Sequence, residues 1–139
     1  MRLFKQKYHP GKYDSLIASG CMVDGDVVYT GSIFIKGTVV GNVRAPESDA
    51  GSAVTVSGKI SGTFLNADFL VIENEGTVDV TTITVRKTLI VKKGGKLNGN
   101  VTYGDISLEE GAEVTGTLST QPLTSKPLDR GDLVANFED

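Results

Sequence analysis

Apolar residues in this chain recur in pairs that straddle a bend. The pattern apolar-x-Gly-x-apolar appears as Val23-Asp-Gly25-Asp-Val27, Val39-Val-Gly41-Asn-Val43, Ile60-Ser-Gly62-Thr-Phe64, Leu97-Asn-Gly99-Asn-Val101 and Val114-Thr-Gly116-Thr-Leu118. A degenerate sixth copy is Val78-Asp-Val80-Thr-Thr82. The central positions 25, 41, 62, 80, 99 and 116 are 16, 21, 18, 19 and 17 residues apart. A period close to 18 marks a solenoid rather than a globular core.

Six or eight residues before each centre lies a further apolar site: Ile17, Ile35, Val56, Ile72, Val91 and Leu108. These predict a second strand per repeat. Ala67, Val85 and Tyr103, spaced by 18 twice, predict a third wall in the same register. Side chains at i, i+2 and i+4 of a strand share a face, so both apolar flanks of each motif are expected to point inward. The residues after each centre, Asp26, Asn42, Thr63, Thr81, Asn100 and Thr117, are polar and suit the outer face. Coils stacked at the inter-strand spacing of about 4.8 Å would then close an aliphatic core in a rod roughly 30 Å long. The expected fold is an all-β, single-stranded parallel β-helix of about six coils.

Departures from the period fall at corners. Ala45-Pro46-Glu47-Ser48-Asp49-Ala50-Gly51, within the longest interval, predicts a loop bulging from one corner. Residues 15–118 form the expected helix domain. Residues 1–14, with Arg2, Lys5, Lys7 and Lys12 against Asp14, and residues 119–139, with Pro122 and Pro127, are expected to be flexible tails. A short helix around Leu133, Val134 and Phe137 is a candidate cap or partner peptide.

Composition narrows the picture. With 139 residues there is room for one domain, and 6% aromatics with no Trp require a core of Val, Ile and Leu. A formal charge of −3 and the lack of an aromatic and Arg cluster argue against nucleic acid as a partner. Cys21 cannot form an internal disulfide, and Gly20-Cys21-Met22-Val23-Asp24 offers no base to activate a thiol, so a small buried residue is expected there. No segment approaches the ~20 apolar residues of a membrane span, and residues 1–20 lack the apolar core of a signal peptide, which predicts a cytoplasmic protein.

The ordered series of motifs from residue 15 to 118 resembles the bactofilin family. Its most characteristic parts are Ile17-Ala-Ser-Gly20-Cys-Met-Val23-Asp-Gly25-Asp-Val27 and Ile35-Lys-Gly37-Thr-Val39-Val-Gly41-Asn-Val43. Val80 and Thr82 depart from the motif in the fourth coil. The resemblance implies a right-handed β-helix that assembles without nucleotide into non-polar filaments. It also implies a scaffold for cell-shape or cell-wall-modifying enzymes, at the inner face of the cytoplasmic membrane.

Candidate chemistry does not displace that reading. Left-handed hexapeptide-repeat acyltransferases also use about 18 residues per coil. They require a strict six-residue phase and a histidine base, whereas intervals of 16, 19 and 17 break the phase and His9, the one histidine, lies beside Pro10 in the basic tail. One histidine cannot supply a three-histidine zinc site. Glu73-Asn74-Glu75 and the group Glu109, Glu110 and Glu113 read as solvated turn carboxylates. Lys92-Lys93-Gly94-Gly95-Lys96 lacks the spacing of a phosphate-binding loop and reads as a charged turn. No enzyme activity, cofactor, nucleotide or metal is expected. The alternative is a monomeric binding module, which would need blocked coil ends, because an open end displays unpaired strand edges and apolar core.

The last coil, Ile106-Ser-Leu108 through Leu118, is as apolar as the middle ones, which predicts self-assembly through the ends. Leu108, Val114 and Leu118 are the expected polymer contacts at one end, with Ile17 and Val23 at the other. Met1, Arg2, Leu3, Phe4, Lys5 and Lys7 interleave apolar and cationic side chains in a way that suits an anionic membrane surface, and some bactofilins are similar in carrying a membrane-targeting start.

Overall fold

The structure is a computed structural model that describes residues 13–46 and 51–120. Eleven strands and no helix occur among these residues. The first six are short: β1 (Ser15–Ile17), β2 (Met22–Asp24), β3 (Val27–Val28), β4 (Ser32–Ile35), β5 (Thr38–Val40) and β6 (Val43–Arg44). They are followed by β7 (Ala53–Val56), β8 (Lys59–Ile72), β9 (Thr77–Val91), β10 (Lys96–Leu108) and β11 (Glu113–Thr120). The long strands bend around corners, so each serves more than one wall. Every pairing is parallel, and the chain winds into a β-solenoid of about six coils.

Register turns the repeat into three aligned columns of inward side chains. On the first wall Ile17, Ile35, Val56, Ile72, Val91 and Leu108 pair in succession. On the second wall the column is Val23, Val39, Ile60, Val78, Leu97 and Val114. Val27, Val43, Leu65, Ile83, Val101 and Leu118 follow on the third. The second column of the third wall runs through Ala67, Val85 and Tyr103, as their spacing predicted. Apart from the terminal Leu108 and Leu118, these side chains belong to one continuous core, each fully buried aliphatic member contributing about 1.5–3 kcal/mol by leaving water.

Corner geometry explains the irregular spacings. Between the first two walls the chain turns in two residues at Lys36-Gly37 and Ser57-Gly58, but in four elsewhere, for instance from Glu73 to Gly76. The six-or-eight alternation is therefore the difference between two turn types. Between the second and third walls, Gly25, Gly41, Gly99 and Gly116 have φ of 145°, 156°, 155° and 117°. Only glycine takes those values without strain. A Cβ on Gly41 or Gly116 would also collide with the carbonyl oxygen of Gly25 or Gly99 in the preceding coil.

The third and fourth coils turn the same corner with one extra residue, and this corrects two expectations. Counting along the register, Phe64 pairs with Thr82 and Leu65 with Ile83. Leu65 is therefore the inward flank, fully buried, whereas Phe64 is only half-buried and shares its register place with Thr82, Asn100 and Thr117. Thr63 and Thr81 are the insertions. With a wider corner, neither Gly62 nor Val80 has positive φ, so Val80 is tolerated and turns its side chain into the core. Cys21 is also corrected: it is exposed, because it lies in the four-residue turn of the first coil, which has a neighbouring coil on one side only.

Candidate assembly interface

The ends of the solenoid differ from its middle first in the absence of a neighbour. Among the described residues β1, β2 and β3 pair only with β4, β5 and β6, and β11 pairs only with β10. Each end coil therefore offers a triangle of backbone N–H and C=O groups on its outer edge, a template for pairing with a further strand. Side chains at the ends follow suit. The four middle members of the first and third columns are at most 1% exposed, and those of the second at most 2%. The terminal members Leu108 and Leu118 rise to 47% and 39%. Val114, Ile17 and Val23 are half-buried.

Leu108, Val114 and Leu118 thus stand one per wall at the C-terminal end, and Ile17 and Val23 stand on two walls at the other. Two further residues complete these end faces. Val27 ends the third column beside Ile17 and Val23, and Ile106 packs against the core beside Leu108. Val27 already stands in the first motif, and the pairing of Ile106 with Leu89 extends an inward pair that every first-wall strand from β4 onward repeats. Tyr29, 5% exposed, crosses the third wall near the N-terminal end and donates a hydrogen bond to the Asn66 carbonyl at 3.1 Å. Small Ala45 and Ala67 leave room for it.

Polar side chains link each coil to the next. The Asp14 carboxylate accepts from the Ser32 amide at 2.9 Å, and Asp26 accepts from the Asn42 amide at 3.1 Å. Asn42 Oδ1 accepts from the amides of Thr63 and Phe64, and Asn100 Oδ1 from the Thr117 hydroxyl. These contacts fix register at the corners.

A model of the bactofilin family, described as polymer-forming cytoskeletal, matches residues 15–119. The chain belongs to the bactofilin family. No curated protein and no solved structure matches it. Bactofilins are a structural, cytoskeletal family, and that character agrees with a helix whose apolar core reaches both ends.

Charged residues considered as chemistry lie in the stacked turns of this bactofilin. Lys92 Nζ is 3.5 Å from Glu73 Oε2, and the Lys93 amide donates to Glu109 Oε1 at 2.9 Å. An open surface depression runs between these turns, lined by Glu73, Asn74, Lys92, Lys93, Gly94, Glu109 and Gly111. The carboxylates and lysines serve as neighbours to one another across coils. Met1, Arg2, Leu3, Phe4, Lys5 and Lys7, together with His9 and the segment from Leu133 to Phe137, lie outside the described residues.

Proposed function

We propose that this bactofilin polymerises by stacking its solenoids end to end, without nucleotide or other cofactor, and acts as a non-enzymatic scaffold. The observation that carries the reading is the emergence of all three apolar columns at both ends of the helix, next to unpaired strand edges. Stacking a second copy continues both the hydrogen-bond ladder and the aliphatic core. Leu108, Val114 and Leu118 form one contact face, and Ile17 and Val23, with Val27, form the other. Like ends meet like ends across a two-fold axis, so strands pair antiparallel at each junction and the filaments have no polarity.

The filaments lie at the cytoplasmic face of the membrane, where they organise cell-shape or cell-wall-modifying proteins. Met1, Leu3 and Phe4, with Arg2, Lys5 and Lys7, supply the membrane contact; so short a segment binds weakly alone and gains strength from the many copies in a polymer. Negative-stain microscopy of purified protein with no nucleotide tests assembly, and filaments are expected. Particles that stay monomeric at high concentration would refute it. Co-sedimentation with anionic liposomes tests the second part, since removal of residues 1–7 should abolish binding; unchanged binding would place the contact elsewhere.

A further inference from the structure

The outer surface of the first wall is unlike the other outer surfaces. Its central outward column reads Leu16, Phe34, Thr55, Val71, Ile90 and Ser107. The equivalent outward column of the second wall reads Asp24, Val40, Ser61, Asp79, Asn98 and Thr115. Phe69 lies beside Val71 and widens the apolar stripe.

Exposure makes the contrast sharper. Asp79 and Asn98 are exposed, as outward side chains on a sheet should be. Thr55 and Val71 also point outward, yet they are 0% and 3% exposed. Neighbours within a sheet screen the flanks of an outward side chain but not its tip, so such values require a second layer. Thr55 Oγ1 is buried without a hydrogen-bond partner, which marks that layer as apolar where it crosses the third coil.

Chain connectivity selects the occupant. Tyr13 packs on this stripe, its ring centroid 4.8 Å from that of Phe34, and twelve residues precede it. We propose that residues 1–12 of the same chain lie along the first wall and cover the stripe with Met1, Leu3, Phe4 and Tyr8. From Phe34 in the second coil to Ile90 in the fifth is three inter-strand steps, about 14 Å. Twelve extended residues reach up to about 40 Å. By contrast, β11 ends at Thr120 on the third wall and places no residue on the stripe, and the four residues joining Pro46 to Gly51 are too few to cross from their corner to Ile90. Docking on the helix needs no bilayer, and it gives the apolar side chains of the segment a surface when no membrane is present.

The test replaces Ile90 by the photo-crosslinking residue p-benzoylphenylalanine in the full chain, without lipid, with Thr115 on the second wall replaced likewise as control. Isotopically light and heavy chains are mixed before illumination, and mass spectrometry identifies the joined peptides. A tethered segment has a millimolar effective concentration, so cross-links from position 90 to residues 1–12 of the same chain should exceed those from position 115 on the order of ten-fold. If the Ile90 variant loses its β signal, the ring-for-ring replacement of Phe69 serves instead. Cross-links to residues 121–139, to residues 47–50 or between light and heavy chains would overturn the proposal, as would a yield no higher than the control.

Discussion

Middle coils and end coils of this solenoid are built from the same repeat, but they carry different burdens. In the middle, Ile35, Val39 and Val43 or Ile72, Val78 and Ile83 are closed above and below by residues of the same kind. At the ends, Ile17, Val23 and Val27 or Leu108, Val114 and Leu118 are closed on one side only. Charge separates the regions too. Described residues of the first coil, 13–29, contain Asp14, Asp24 and Asp26 and no Lys or Arg; those of the last, 105–120, contain Asp105, Glu109, Glu110 and Glu113 and again no cation. Between them lie Lys36, Arg44, Lys59, Arg86, Lys87, Lys92, Lys93 and Lys96. The comparison teaches that the proposed apolar stacking at the ends would work against a like-charge repulsion that the middle does not face.

The largest effect is expected where a charge enters a closed column. Leu65→Asp places a carboxylate in a fully buried site without a partner, at a cost of about 4 kcal/mol or more, and should abolish the β signal in circular dichroism. A folded Leu65→Asp protein would erase the distinction between middle and ends.

A smaller loss is expected at the corner that carries Asp68. Asp68 is 3% exposed and forms a salt bridge with Arg86 Nε at 2.6 Å, while its other oxygen accepts from the Gly51 amide at 2.6 Å. Asp68→Ala leaves both donors without this partner and should lower stability by about 2 kcal/mol, read as a fall in melting temperature. Because the site is internal, assembly at temperatures where the protein is folded should be unchanged.

Ionic strength addresses the ends instead. Two C-terminal faces, each carrying Asp105, Glu109, Glu110 and Glu113, repel over a screening length that shrinks from about 30 Å at 0.01 M salt to about 8 Å at 0.15 M. Light scattering by assembled protein should therefore rise with salt across that range. A fall would show that the contact joins surfaces of opposite charge.

The smallest effect concerns one turn. Gly20, Gly94 and Gly111 occupy the third place of their four-residue turns with φ of 85°, 83° and 95°, and Glu75 holds that place in the fourth coil with φ of 74°. Glu75→Gly removes the left-handed strain of a side-chain-bearing residue and should stabilise the fold by about 0.5–1 kcal/mol, seen as a small rise in melting temperature. Filament length should not respond.

Much of this architecture was legible in the sequence because a solenoid repeats its instructions. The column from Ile17 to Leu108 follows from spacing, since a parallel register places like residues over one another. What was hidden depended on single insertions and on the outer surface. Thr63 and Thr81 each shift the inward position by one residue, so Phe64 looked like a core flank although Leu65 fills that role. Cys21 looked buried because small apolar residues usually are, but an end turn has too few neighbours. The outward stripe of Phe34, Val71 and Ile90 was masked by its resemblance to strand-core alternation. Asp68 and Arg86, 18 residues apart, meet only because that separation is one coil.

The central claim is that the C-terminal end face joins molecules while the inner coils hold the fold. Leu118→Arg is the direct measurement, because it places a cation where Leu118 closes the third column and leaves the columns of the inner coils untouched. Burying that charge in a stacked contact would cost several kcal/mol. Light scattering should fall to the level of monomers or of dimers joined through the other end, with the β signal in circular dichroism intact. Long filaments from folded Leu118→Arg protein would contradict the account and move the contact to a lateral face.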